Sequence, residues 1–291
     1  PVTVTVTQTI SRAAFYVGKG GVGKTTSAAH IATAASLNHE LNVVLLDLAG
    51  TQNDLATQFG MFNKVADPDA PVSAVFGEDW EFISENIPDI VDRMVFETDE
   101  GPDLIPADNG ITGDDTNLSS VPVEERYLRL DSFISDHLAD RYDLVVFDLP
   151  GKEDNISLNG ILAAERIIAP LMPGSFERHQ LDTLRSDLES IRSDLQDVLE
   201  PKNLHPRVEM IIPTMISSRT TQSAEFVDEL DAEFGNLVGE EIPKTQNIPN
   251  LQDEGKTLFA ADADELYVTG QRALEAYRQN TEQILERLTL R

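Results

Sequence analysis

The chain has 291 residues, 41% of them hydrophobic, which supports a sizeable core and excludes wholesale disorder. It contains no cysteine, which excludes disulfides, thiolate nucleophiles and Cys-ligated metals. Asp and Glu number 51 against 22 Lys and Arg, a net charge of −29 that disfavours bulk attraction to DNA or anionic lipid. The acid is spread along the chain, which argues against a disordered acidic tail. No apolar run approaches membrane-spanning length. The stretch PVTVTVTQTISR alternates Val with Thr and carries no basic region, so no signal peptide is expected and a cytoplasmic location is.

Short apolar runs alternate with helical patterns, the rhythm of parallel strands joined by crossover helices. Residues 13–17 predict a strand that ends in a glycine loop. The Ala-rich stretch 25–37 predicts a helix and VVLLDL at 43–48 a buried strand. Residues 97–122, rich in Asp, Gly, Pro and Ser, read as the loosest part. Residues 132–138 lie in a helix, followed by strands at 144–149 (LVVFDL) and 166–172 (RIIAPLM). Leu181, Leu184, Leu188, Ile191, Leu195 and Val198 recur at three- and four-residue steps, an amphipathic helix over 179–200. A strand over 208–215 and helices over roughly 220–234 and 264–288 complete the pattern. With no repeat and no long linker, one domain over 1–291 is expected. The fold class is α/β: a three-layer, doubly wound, mostly parallel sheet.

The strongest motif is Gly18-Lys19-Gly20-Gly21-Val22-Gly23-Lys24-Thr25, which satisfies G-x-x-x-x-G-K-[ST] with a strand before it and a helix after. Its glycines let backbone N–H groups curl around phosphate oxygens, and the helix N-terminus adds its positive dipole end. The motif assigns Gly20, Gly21, Val22, Gly23, Lys24, Thr25 and Thr26 to nucleotide binding. Lys24 is expected to reach the β- and γ-phosphates and the Thr25 hydroxyl to bind Mg²⁺. Asp148 ends an apolar strand at a carboxyl edge, where open α/β sheets bind ligands, and can hold the same Mg²⁺ through water. Pro150-Gly151 then turns the chain away, as a phosphate-sensing switch would. Lysine is scarce, seven against fifteen arginines, yet two of the seven fall in this loop.

A plain phosphate loop does not need Lys19. With it, KGGVGKTT resembles the deviant Walker A loop of the ParA/MinD/Soj partition ATPases, a branch of the P-loop NTPases. The resemblance runs nearly the whole chain from Ala13: VVLLDLAGTQNDLATQFG, DLIPADNGITG, RYDLVVFDLPG, RIIAPLMPGSFERHQL, IIPTMISSRTTQSAEFVDELDAEFG and EEIPKTQNIPNLQDEGKTLF match family segments in order. It implies an ATP- and Mg²⁺-dependent homodimer in which Lys19 crosses to the partner's phosphates. It also implies cargo positioning with a ParB-like or other adaptor. Lys19, Lys24, Asp47 and Asp148 become the catalytic set. By the same resemblance, Pro213-Thr214-Met215 and Ile242-Pro243-Lys244 hold the adenine.

One departure bears on turnover. Asp47 aligns with the first Asp of the family's D-x-D, but the second is Ala49, and Gly50-Thr51 replaces Pro-Gln. Alanine cannot orient water or accept a proton. Hydrolysis is therefore expected to be slow or absent, unless Asp47, Gln52, Asp54 or Asp148 orients the water. ATP binding with little turnover is the alternative function. ParA-like nonspecific DNA binding would use Arg219, Arg272, Arg278, Arg287 or Arg291, among which Glu275, Glu282 and Glu286 interrupt the last helix. A MinD-like membrane role would use QILERLTLR, which has little basic flank, so packing onto the domain is expected. The acidic, lysine-poor composition resembles that of extremely halophilic proteins. In molar salt the screening length falls to about 3 Å, which weakens the net-charge argument against polyanions.

Overall fold

The computed structural model describes residues 10–18, 20–50, 54–66, 68–119, 121–174 and 177–289. Seven strands form one sheet: β1 (Ser11–Phe15), β2 (Val43–Asp47), β3 (Phe96–Glu97), β4 (Asp103–Ile105), β5 (Leu144–Asp148), β6 (Arg166–Leu171) and β7 (Arg207–Pro213). Their order is β3-β4-β2-β5-β1-β6-β7, and every pairing is parallel except β3 with β4. The principal helices are α1 (Lys24–His39), α2 (Asn155–Ala164), α3 (Glu177–Asp194), α4 (Thr221–Phe234) and α5 (Val268–Thr289).

The central strands are continuous apolar runs because both faces of the sheet are covered. Val44, Leu46, Val145 and Phe147 face one core with α2, α3 and α4, while Val43, Leu45, Leu144 and Val146 face the other with α1 and α5. The result is the expected three-layer architecture. Helix α1 is rich in alanine, the best helix former, and buries Ala28, Ala29, Ala32 and Ala35 completely. The small side chains let α1 lie close between the sheet and α5. It stops at Glu40, whose left-handed backbone (φ 54°) directs its N–H to the Ala35 carbonyl.

The structure corrects three expectations. The helix over 179–200 is two helices, α3 and a short one at Gln196–Lys202, with Leu195 at the break. Residues 97–122 contain β4 and a helix at Ile111–Leu118, anchored by the buried Ile111 and Leu118. The last helix starts at Val268, later than expected.

The pairing register sets the functional edge. Asp148 lies opposite Asp47 on one side and opposite Phe15 on the other, so three strands end level beneath the glycine loop.

Candidate nucleotide site

The loop between β1 and α1 turns through left-handed backbone at Gly21 (φ 78°) and Gly23 (φ 89°), which a side chain would strain. Gly23 caps α1 without a side chain, so the helix's first N–H groups face the loop's interior. Lys24 is the first helical residue and is buried. Burial lowers its ammonium pKa, and the Asp148 carboxylate acts in the opposite direction. The Thr25 hydroxyl donates to Asp148 Oδ2 at 2.5 Å. Val22 is fully buried, and its carbonyl accepts the Thr214 hydroxyl at 2.9 Å.

Asp47 and Asp148 are both almost wholly buried. Asp47 Oδ1 accepts the Ala49 N–H at 3.0 Å, whereas Asp47 Oδ2 and Asp148 Oδ1 have no hydrogen-bond partner. Burial pushes Asp148 up to about 7 against the pull of Thr25 and Lys24. Burial, then the neighbouring Asp148, raises Asp47 well above the usual carboxylate range. Two carboxylates at adjacent strand ends resist joint ionisation unless a cation joins them. The two orphaned oxygens and the Thr25 hydroxyl fit Mg²⁺, which takes one or two carboxylates and completes its shell from phosphates and water. Among the described residues no cluster of three or more His, Cys, Asp or Glu could hold a metal.

A leucine behind this edge seats the turn at Pro150-Gly151. Gly160 of α2 packs so closely on Leu149 that a Cβ would lie 2.3 Å from its Cδ2. The chain after Asp148 is thereby seated against α2, and Asp154 caps that helix through the Ser157 N–H at 2.8 Å.

The family profile described as AAA domain (AAA_31) matches residues 10–201. The chain belongs to this family. Its relatives include "Chromosome partitioning protein ParA" of Caulobacter vibrioides, 26% identical over 84% of each chain. "Chromosome-partitioning ATPase Soj" of Thermus thermophilus is 24% identical over 96% of this chain and 97% of its own. Among solved structures, cobyrinic acid a,c-diamide synthase from Mycobacterium smegmatis with bound ATP analog and magnesium has the same fold. Its TM-score is 0.70 at 23% identity, with 97% of this chain and 96% of that one covered.

Within this AAA-family chain the other predicted residues are placed as follows. Lys19, Thr51, Gln52 and Arg291 lie outside the described residues. Thr214 is buried with its hydroxyl committed to the Val22 and Leu171 carbonyls, so it ties the phosphate loop to the ends of β6 and β7. Met215 follows it in left-handed backbone, 39% exposed and so not plain core. Pro243 sits opposite Ile216 in a short bridge and lines a cavity of about 610 Å³. Arg219 and Arg272, with Lys244, reach that same cavity. Arg287 does not: it donates to the Glu209 and Asn236 carbonyls. Arg278 lies over Phe259 and pairs with Glu275.

Asp54, one of the sequence's candidates to orient water, starts a short helix and is exposed; its charge raises both buried carboxylates. One contribution was not read from the sequence. His30 joins α1 to the far end of the chain. Its Nδ1 meets the Thr26 carbonyl at 2.7 Å, its Nε2 accepts the Leu258 N–H at 3.1 Å, and its ring stacks on Tyr277. No local pattern signals these His30 contacts.

Proposed function

We propose that the chain is an ATP-driven dimerising switch that positions DNA or another cargo, working as one nucleotide-binding domain over 1–291. The observation that carries this reading is the Thr25–Asp148 contact beneath a glycine loop, beside a second buried carboxylate with an open oxygen. Lys24 and the loop N–H groups would hold the triphosphate, and Thr25 with Asp148 would hold Mg²⁺. Mg²⁺ neutralises phosphate charge and orients the terminal phosphoryl group. Pro213–Met215 and Ile242–Lys244 would border the base. Partition and Soj relatives support the positioning role.

Ala49 makes hydrolysis slow in this reading. Asp54, exposed and acting on both buried carboxylates, is then the candidate to orient water, since Asp47 is buried and engaged with the Ala49 N–H. Arg219, Lys244 and Arg272 share their cavity with Glu240, Glu241 and Glu275, so nonspecific DNA binding draws little support from it, and a ParB-like adaptor is the expected regulator. A membrane-bound role has less support. Ile284 and Leu288 of α5 are buried against the core, and among the described residues no helix is long and apolar enough to cross a membrane.

Sedimentation in molar salt with a nonhydrolysable ATP analogue tests the switch. The wild-type chain should pass from monomer to dimer. Lys19→Ala should bind the analogue and stay monomeric, because each Lys19 neutralises phosphate in the opposite subunit. An equally dimeric Lys19→Ala variant would contradict the proposal.

A further inference from the structure

Two short helices end against each other beside the nucleotide site. The helix Asp54–Gln58 closes with the Gly60 N–H on the Thr57 carbonyl at 3.1 Å and the Met61 N–H on the Ala56 carbonyl at 2.7 Å. The helix Asn247–Asp253 closes in the same way, with the Gly255 N–H on the Gln252 carbonyl at 3.0 Å and the Lys256 N–H on the Leu251 carbonyl at 2.9 Å. This form of helix end requires one residue in left-handed backbone, which Gly60 (φ 64°) and Gly255 (φ 72°) supply. The two glycines pack backbone on backbone: a Cβ on Gly255 would lie 2.4 Å from the Gly60 Cα. Leu55 and Leu251 join the same buried core.

A buried amide fastens the crossing. Gln58 is 1% exposed, and its Nε2 donates to the Lys256 carbonyl at 2.8 Å, 198 positions away in the chain. Beyond Lys256 the chain is clamped. Thr257 gives its N–H to Glu100 Oε1 at 2.9 Å and its hydroxyl to Glu100 Oε2, and the Leu258 N–H meets His30. Glu100 lies in the turn between β3 and β4, and His30 lies on α1. A displacement of helix Asn247–Asp253 is therefore not absorbed after Lys256. It passes to Gly60, because close-packed backbone has no free space to take it up.

The far ends of the two helices lead to different parts of the site. At the head of Asp54–Gln58, the Leu55 N–H stabilises the Asp47 carboxylate. At the head of the other helix, Asn247 Nδ2 donates to the Glu265 carbonyl at 3.1 Å and its Oδ1 accepts the Tyr267 N–H at 2.9 Å, three residues beyond Lys244. Ile242 and Lys244, in the stretch proposed to border the base, give their N–H groups to the Pro213 and Ile216 carbonyls at 2.7 and 2.8 Å. We propose that Gln58 is a positioning residue: through Lys256 and the Gly60–Gly255 crossing it holds the head of its helix on Asp47, so that this carboxylate edge responds to what fills the base border. The inference rests on the nucleotide reading.

Hydrogen exchange read by mass spectrometry, with and without a nonhydrolysable ATP analogue and Mg²⁺, tests this. In the wild-type chain the analogue should slow exchange at residues 20–27, at 242–250 and, about tenfold, at 55–61, the scale of one buried hydrogen bond. Gln58→Met keeps the volume and removes the donor. It should leave the first two segments protected and lose the added protection at 55–61. Gly255→Asn tolerates the left-handed backbone but presses a Cβ on Gly60. It should show the same loss, and it decides the question where Gln58→Met does not fold. Protection retained at 55–61 in the variant would overturn the proposal, because phosphate and Mg²⁺ would then act on Asp47 directly. Exchange at 55–61 raised by the same factor with and without the analogue would also overturn it, as a purely structural contact. In the wild-type chain, 55–61 unprotected while 20–27 is protected sinks the coupling alone, whereas 20–27 unprotected contradicts the nucleotide reading on which it stands.

Discussion

His30 gives the fold a pH dependence whose size follows from its contacts. The ring is fully buried and its pKa falls to about 4 from the ordinary 6.5, because burial disfavours the charged form more than the Thr26 carbonyl favours it. The contacts require the neutral ring with its proton on Nδ1. Nδ1 faces a carbonyl, and Nε2 must accept the Leu258 N–H. Protonation would turn Nε2 into a donor facing a donor. The folded pKa is depressed, so the unfolded chain binds the extra proton between pH 6.5 and 4. His30 therefore contributes stability that is present above about pH 6.5 and lost as pH falls toward 4. At about 1.4 kcal/mol per unit, the full contribution is about 3 kcal/mol, of which about 2 kcal/mol disappears between pH 7 and 5. Asp47, Asp148 and Asp187 act in the opposite direction over the same range, since their folded pKa values are raised. The test is therefore a difference. Urea unfolding of wild type and His30→Gln at pH 7 and pH 5 should show a smaller acid loss, or a larger acid gain, in the variant by about 2 kcal/mol. Parallel pH dependences in the two proteins would refute the reasoning.

Thr214→Val removes the hydroxyl shared by the Val22 and Leu171 carbonyls and should cost about 1–3 kcal/mol in urea unfolding, with weakened ATP binding. Thr214→Ser should retain both properties if the hydroxyl is what matters. Ala49→Asp restores a carboxylate two residues beyond Asp47 and should accelerate phosphate release by about 10²- to 10⁴-fold. If the wild-type chain is already brisk and Asp54→Asn abolishes turnover while sparing ATP binding, Asp54 fills the missing role.

Much of the fold was legible because its strands are buried on both faces. VVLLD and LVVFD are apolar from end to end, and each finishes on an aspartate, so both the strand and its functional edge could be read. The strands Phe96–Glu97 and Asp103–Ile105 are too short to show a period. Helix Ile111–Leu118 carries Gly113, Asp114, Asp115 and Asn117, which read as a loop; the burial of its two ends outweighs that local preference. The break at Leu195 was hidden because the apolar spacing continues through it to Val198 and Leu199. At the site, loop spacing and strand context together point to Lys24, Thr25 and Asp148, and the structure brings Thr25 and Asp148 into contact. The His30–Leu258 and Val22–Thr214 contacts join residues 228 and 192 positions apart, which no sequence window can pair.

The central claim is that the glycine loop and its level strand ends form a triphosphate site. Titration of Mg·ATP into wild type and Lys24→Ala, followed by calorimetry in high salt, tests it most directly. The account predicts one saturable site in the wild-type chain and none in the variant, because the buried ammonium at the head of α1 is the strongest phosphate charge among the described loop residues. Equal ATP affinity in Lys24→Ala would contradict it.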